Sequence, residues 1–139
     1  MKLSTTRFGE IEIQEESIIN FPFGIPGFPD LKRFVIIDYK DPIKWLHSVE
    51  DPDIAFIITV PFVLFPEYSF TIKDDVEEFL GIKEASDVVI FAILAVSDNN
   101  LMANLKAPLV VNISNKKAVQ ILLEDDRYSF RVPLPSHSL

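Results

Sequence analysis

Val88-Val89-Ile90-Phe91-Ala92-Ile93-Leu94-Ala95-Val96 runs into the polar tetrapeptide Ser97-Asp98-Asn99-Asn100. The apolar run is broken only by its alanines and reads as a strand, and the tetrapeptide reads as the loop after it. Outward from this point the periodicity is mostly two rather than 3.6. Ile11 and Ile13 alternate with Glu10 and Glu12. Residues 17–21 form a short apolar stretch, and Phe34-Val35-Ile36-Ile37 reads as a buried strand. Trp45, His47 and Val49 alternate with Leu46 and Ser48, and residues 55–60 are rich in β-branched residues. Tyr68, Phe70 and Ile72 alternate with Ser69 and Thr71, and apolar stretches follow at 109–113 and 119–123. About nine or ten short strands separated by turn residues make an all-β, mainly antiparallel chain, a barrel or a sandwich.

The turn residues support this spacing. Arg7-Phe8-Gly9 is placed to close a hairpin between residues 3–6 and 10–13. Asp41-Pro42 and Asp51-Pro52 favour turns, and Ser114-Asn115-Lys116 suits another hairpin. One segment departs from the β pattern. Lys73-Asp74-Asp75-Val76-Glu77-Glu78-Phe79-Leu80-Gly81 predicts a short helix over Asp74–Leu80, with Asp74 as N-cap and Glu77 reaching back to it. Val76, Phe79 and Leu80 share one face, and Gly81 suits the position after the last turn. A further helical turn is expected near residues 84–86. The chain reads as one domain over residues 1–134, with a loosely ordered tail at 135–139.

Composition narrows the function classes. The 139 residues include 13 Lys plus Arg against 21 Asp plus Glu, a formal net charge of −8. No basic run is present to neutralise phosphates, which argues against direct binding of nucleic acid. The absence of cysteine excludes a disulfide scaffold, an iron–sulfur centre and a thiol nucleophile. The N-terminal residues carry no apolar signal segment. The longest apolar stretch, residues 54–65, is interrupted by Pro61 and is too short for a bilayer. A cytoplasmic protein without membrane contact is the expectation. An acidic field favours a basic protein partner and speeds the encounter with it.

Catalytic chemistry is poorly supported. There are two histidines, and Ser48 beside His47 points to the opposite strand face. No Gly-x-Ser-x-Gly elbow, calcium loop or phosphate-binding glycine loop is present. The acidic clusters at 50–53, 74–78 and 124–126 read first as solvated turns and a charged helix, and secondarily as attraction for a basic partner. The chain is therefore expected to be neither an enzyme nor a cofactor or metal carrier.

Two segments stand out. In Phe21-Pro22-Phe23-Gly24-Ile25-Pro26-Gly27-Phe28-Pro29, Pro26-Gly27 fits the centre of a type II turn. A stiff apolar loop loses little entropy on docking, although these side chains can equally plug a barrel end, the reading physics alone favours. In Ala103-Asn104-Leu105-Lys106-Ala107-Pro108-Leu109-Val110-Val111-Asn112, Pro108 near the strand start suggests an edge strand that could accept a partner strand. The flanking Asn104 and Asn112 read chiefly as local backbone partners.

Those segments carry a resemblance. Gly24-Ile25-Pro26-Gly27-Phe28, the 34–37 strand, Trp45-Leu46-His47-Ser48, Pro66 with Tyr68 and Phe70, and above all Ala103-Asn104-Leu105-Lys106-Ala107-Pro108-Leu109-Val110-Val111-Asn112 resemble the FliW family of flagellar assembly factors. Gln120, Leu123, Tyr128, Arg131, Pro133 and Leu134 extend the likeness, which covers residues 8–134 in consistent order. His47 departs from it, because the family more often carries glutamine there, and no function is attached to this histidine. The resemblance implies a small, monomeric, antiparallel β-barrel-like protein of the cytoplasm. It implies a partner-switching regulator that binds flagellin before export and also binds CsrA, the translational repressor of flagellin. Antagonism of CsrA would then relieve the repression. The acidic balance is complementary in sign to a basic RNA-binding partner. On charge, Asp53, Asp74, Asp75, Glu77 and Glu78 are assigned to CsrA docking. On apolarity, either the loop with Phe23, Ile25 and Phe28 or the 103–112 strand with Asn104 and Pro108 is assigned to flagellin. The alternatives are a flagellin chaperone that never meets CsrA, a barrel binding a small molecule in its mouth, and an enzyme of unrecognised type.

Overall fold

The computed structural model describes residues 1–135, which carry eleven strands and two short helices. In order these are β1 (Lys2–Thr5), β2 (Gly9–Glu12), β3 (Ile19–Asn20), β4 (Arg33–Lys40), β5 (Ile43–Ser48), β6 (Ala55–Thr59), α1 (Pro61–Leu64), α2 (Asp74–Leu80), β7 (Val88–Ser97), β8 (Asn100–Ala103), β9 (Leu109–Asn112), β10 (Lys117–Gln120) and β11 (Val132–Pro133). Single 3-10 turns stand at Glu15–Ser17 and Ala85–Asp87.

The apolar run forms β7 and organises the sheet. One of its edges pairs with β6 at Ala92, Ile93 and Leu94. The other edge serves two partners in succession, β9 from Val88 to Phe91 and β8 from Leu94 to Ser97. From β6 the ladder passes through β5, β4, β3 and β10 to β9, which returns to β7. Seven strands therefore close on themselves, and closure removes the free edges that an open sheet exposes. β8 and β11 extend as a flap from the far half of β7. The pairings are antiparallel except for β3 against β10, a parallel contact at Asn20 and Lys117. The expected all-β, mainly antiparallel architecture is thus a barrel rather than a sandwich.

Closure explains why β7 has no polar face. Phe91 points into the barrel with Phe34, Leu46, Ile58 and Leu109. Its neighbour Ile90 packs outside with Leu80 of α2 and Val110 of β9. Ala92 and Leu94 meet Tyr68, Ala103 and Leu105, also outside. From Val88 to Leu94 the strand is covered on both sides, and such a strand reads as a continuous apolar run instead of an alternating one. The loop after it is a two-residue turn with Asp98 at φ 52° and Asn99 at φ 65°. Two successive left-handed residues make the mirror-image turn whose twist matches the strands it joins, and Asp and Asn tolerate that region best.

The hairpin β1–β2 lies outside the ring and docks on β5. Phe8 sits edge-on to Trp45 with centroids 5.9 Å apart, and the Arg7 guanidinium lies 4.3 Å over the same indole. Thr6 N–H donates to the Pro52 carbonyl at 2.9 Å. His47 is fully buried, with Nδ1 2.8 Å from the Ser48 carbonyl oxygen, so it is a core histidine of this strand.

Several expectations need correction. Residues 68–72 form no strand, although the alternation there is real. Tyr68 is buried and Ser69 exposed, but the backbone of Ser69 bonds the Tyr128 hydroxyl instead of a neighbouring strand. Alternation reports which side chains face the core, not whether a ladder partner exists. Asp74 is not the N-cap of α2. Lys73 occupies that position, no side chain caps the first turn, and the Asp75 carboxylate instead accepts its neighbour's Val76 N–H at 2.9 Å. The reciprocal capping box appears instead at the 3-10 turn that follows α2, between Glu84 and Asp87. There the Ser114 hydroxyl and the backbone N–H groups of Glu84 and Lys83 hold the Asp87 carboxyl below its usual range. Residues 61–64, within the apolar stretch that Pro61 interrupts, turn into α1 because Pro61 sets the helical φ at its first position. Of the tail, residues 136–139 lie outside the described residues. Among the described residues no helix is long and apolar enough to cross a membrane.

Candidate partner-binding surfaces

The apolar loop 21–29 does two things at once. Phe21 and Ile25 are buried in the barrel cluster with Phe34 and Leu109, so half of the loop plugs the barrel. Phe23 and Phe28 point outward, 67% and 36% exposed. The division follows from two turns. Gly24 N–H returns to the Phe21 carbonyl at 2.8 Å, and Phe28 N–H to the Ile25 carbonyl at 2.7 Å. The second is the expected Pro26-Gly27 turn, with Gly27 at φ 92°. Gly24 is needed more stringently. Its φ is 69°, and a Cβ there would lie 2.7 Å from the Phe28 carbonyl oxygen and from the Cα and carbonyl oxygen of Pro29. Phe28 rests edge-on against Phe56 at 5.8 Å.

The acidic helix is held by its C-terminal end. Gly81 at φ 69° closes a paired cap, with Gly81 N–H on the Glu78 carbonyl and Ile82 N–H on the Glu77 carbonyl. The free Leu80 carbonyl accepts two side-chain amides, Asn112 Nδ2 at 2.8 Å and Asn115 Nδ2 at 2.9 Å. Leu80 is buried against Ile90 and Val110, which leaves Asp74, Asp75, Glu77 and Glu78 exposed. Acids in the first turn also complement the helix dipole.

The structure brings the loop and the helix together. The Phe23 ring stacks on Phe79 of α2 with centroids 5.1 Å apart and planes at 22°. Lys117 places its ammonium 4.0 Å over the Phe79 ring. An exposed apolar side chain and an acidic helix thus form one face at the β3–β10 junction. Phe79 and Lys117 carry no sequence signal for this face, because a phenylalanine on the apolar side of a helix reads as core.

The other predicted residues lie apart from that face. Asp53 sits in the β5–β6 turn, where its carboxylate accepts the Thr6 hydroxyl of the docked hairpin. Pro108 and Leu109 are buried, and β9 is paired on both edges, so this segment is not an open edge strand. Barrel closure is the reason. The asparagines do serve local backbone groups: Asn104 Oδ1 accepts Ala107 N–H at 3.0 Å and Asn112 Oδ1 accepts Ser114 N–H at 2.9 Å.

A surface groove of about 590 Å³ opens between residues 69–76 and 121–127. Phe70, Val76, Ile121 and Leu123 supply its apolar surface. At its rim Lys73 pairs with Glu124 at 3.4 Å and Arg127 with Asp125 at 2.7 Å. The Arg127 bonds hold the Asp125 carboxyl below its usual range. Beneath, the Tyr68 hydroxyl donates to the Leu105 carbonyl at 2.8 Å, and burial with the nearby Tyr128 pushes it above the ordinary phenol range.

Comparison with known proteins agrees with this architecture. The family model described as FliW protein matches residues 2–134. A flagellar assembly factor FliW of Alkaliphilus metalliredigens is 46% identical over 133 residues, covering 92% of this chain and 82% of that protein. One from Caldanaerobacter subterraneus subsp. tengcongensis is 40% identical over 139 residues, covering 96% and 93%. A crystal structure of the flagellar assembly factor FliW superposes with a TM-score of 0.89 at 36% identity, over 96% of each chain. With the closed barrel, the plugging loop and these relatives in agreement, the chain belongs to the FliW family of flagellar assembly factors.

Proposed function

We propose that this assembly factor is a cytoplasmic partner-switching regulator that binds flagellin and, when flagellin is exported, binds CsrA and relieves its repression of flagellin translation. The observation that carries the reading is the Phe23–Phe79 stack, which joins an exposed apolar loop to the acidic helix α2 in one face. Apolar contact suits the amphipathic terminal helices of flagellin. The cluster Asp74, Asp75, Glu77 and Glu78, within a chain of net charge −8, suits a basic RNA-binding protein. Because the two features adjoin, one partner covers ground the other needs, and this supports mutual exclusion.

Titration of the purified chain with CsrA of the source organism, with monomeric flagellin, and with both together tests the reading. Both are expected to bind, and flagellin to displace CsrA. Binding of flagellin alone would leave a chaperone, and binding of neither would end the proposal. Charge reversal at Asp75 and Glu78 is expected to weaken CsrA binding about tenfold or more at low salt, with a smaller loss at high salt. Unchanged affinity and salt dependence would remove the acids from that interface.

A further inference from the structure

The groove beside α2 is walled by two segments outside any strand whose burial alternates as in extended chain, and part of their backbone is unpaired among the described residues. On one wall, Ile121 N–H bonds the Pro108 carbonyl at 3.0 Å and Leu123 N–H bonds the Lys106 carbonyl at 2.8 Å. Alternate residues of extended chain turn their peptide groups the other way. Leu122 and Glu124 therefore aim theirs toward the groove, and among the described residues they bond no other backbone group. On the opposite wall the Ser69 backbone is satisfied by the Tyr128 hydroxyl, which reaches it from the 121–128 side. By the same period of two, Thr71 turns its N–H and carbonyl to that side, and they too lack a backbone partner among the described residues. Leu122 lines the groove at 65% exposure and belongs to none of the core clusters among the described residues.

We propose that this groove takes a short extended segment of a protein partner, added as a strand between residues 69–73 and 121–124. Main-chain hydrogen bonds to Thr71, Leu122 and Glu124 would hold it, and alternate apolar side chains would meet Phe70, Val76, Ile121 and Leu123. Charge selects the remaining positions. The two rim cations are spent within the rim, Lys73 on Glu124 and Arg127 on Asp125. Asp75 forms no ion pair among the described residues, and the other α2 acids adjoin it. The segment that fits alternates apolar with cationic residues. The inference stands apart from the identity of the partners proposed above.

The test uses the intact isotope-labelled chain and a capped heptapeptide alternating valine and lysine, with a valine–glutamate heptapeptide as control. The expected result is saturable shifts and slowed hydrogen exchange at the Thr71, Leu122 and Glu124 amides, with the lysine peptide bound more tightly than the glutamate one. Leu122→Pro deletes one N–H that bonds no group among the described residues. It is expected to weaken binding about tenfold, whereas Leu122→Ala, which keeps that N–H, stays within about threefold. Thermal melts of both variants establish that they are folded. Shifts confined to the Phe23–Phe79 face, equal binding of the two peptides, an unaffected Leu122→Pro chain, or no binding at millimolar peptide would each overturn the proposal. So would concentration-dependent protection of the same amides in the chain alone, which would place a second copy there. Failure here leaves the CsrA and flagellin titrations untouched, because they use whole proteins.

Discussion

Asn112→Ala is the sharpest probe of how the fold presents its acidic helix. Asn112 is 1% exposed and makes two bonds, Nδ2 to the Leu80 carbonyl at 2.8 Å and Oδ1 from Ser114 N–H at 2.9 Å. Alanine removes both and leaves a small void. Leu80 is not orphaned, since Asn115 Nδ2 still donates to its carbonyl at 2.9 Å, and Ser114 lies at the surface where water can replace the lost acceptor. Two net hydrogen bonds and a partly collapsed void come to about 2–3 kcal/mol. For a chain of this length that lowers the melting temperature by roughly 6–12 °C. Asn112→Asp keeps the shape and the Ser114 bond, but sets a carboxylate against a carbonyl in a buried site. Its cost should therefore exceed that of alanine at neutral pH. Protonation restores a donor, so the gap between the two variants should narrow as pH falls through the carboxyl's raised pKa. Urea unfolding followed by Trp45 fluorescence gives the free energies. Amide exchange at Gly81 and Ile82, which bond the Glu78 and Glu77 carbonyls, shows whether the loss is local to α2. An alanine variant within about 0.5 kcal/mol of the parent, or unchanged exchange at those two amides, would refute the anchoring role.

The other expectations follow from single contacts. Gly24→Ala should cost more than Gly27→Ala, because both have positive φ but only Gly24 has backbone 2.7 Å from the added Cβ; equal melting temperatures would contradict this. Phe23→Ala removes an exposed ring stacked on Phe79, so it should cost only about 0.5–1.5 kcal/mol while clearly weakening flagellin binding; full affinity in a folded variant would count against the proposed face. Burial lets Tyr68 keep its proton in the fold above the ordinary phenol pKa of about 10, whereas the unfolded chain releases it there. Stability is therefore fully present below about pH 10 and falls as pH rises beyond it. Tyr68→Phe should be less stable at neutral pH by about 1 kcal/mol for the lost Leu105 bond, yet show a shallower alkaline decline; parallel alkaline slopes would refute the assignment.

What depends on short range is legible in the residues alone. Turn chemistry at Pro26-Gly27 and Asp98-Asn99, the C-terminal glycine of α2 and the strand faces follow from φ preferences and side-chain period, which are local. The residues alone likewise show the acids of α2 and the apolar loop as separate features. What those features sit beside is set by long-range packing. The closure of β9 on β7 turned an expected edge strand into a central one. The alternation at 68–72 promised a strand, but no backbone came within pairing distance. Asn112 became a helix anchor because Leu80, 32 residues away, reaches it through the packing of α2 on the barrel. Phe23 meets Phe79, and residues 69–73 and 121–124 flank one groove, for the same reason: hydrophobic burial is non-directional, so local pattern states how much each segment must bury but not against which distant segment it does so.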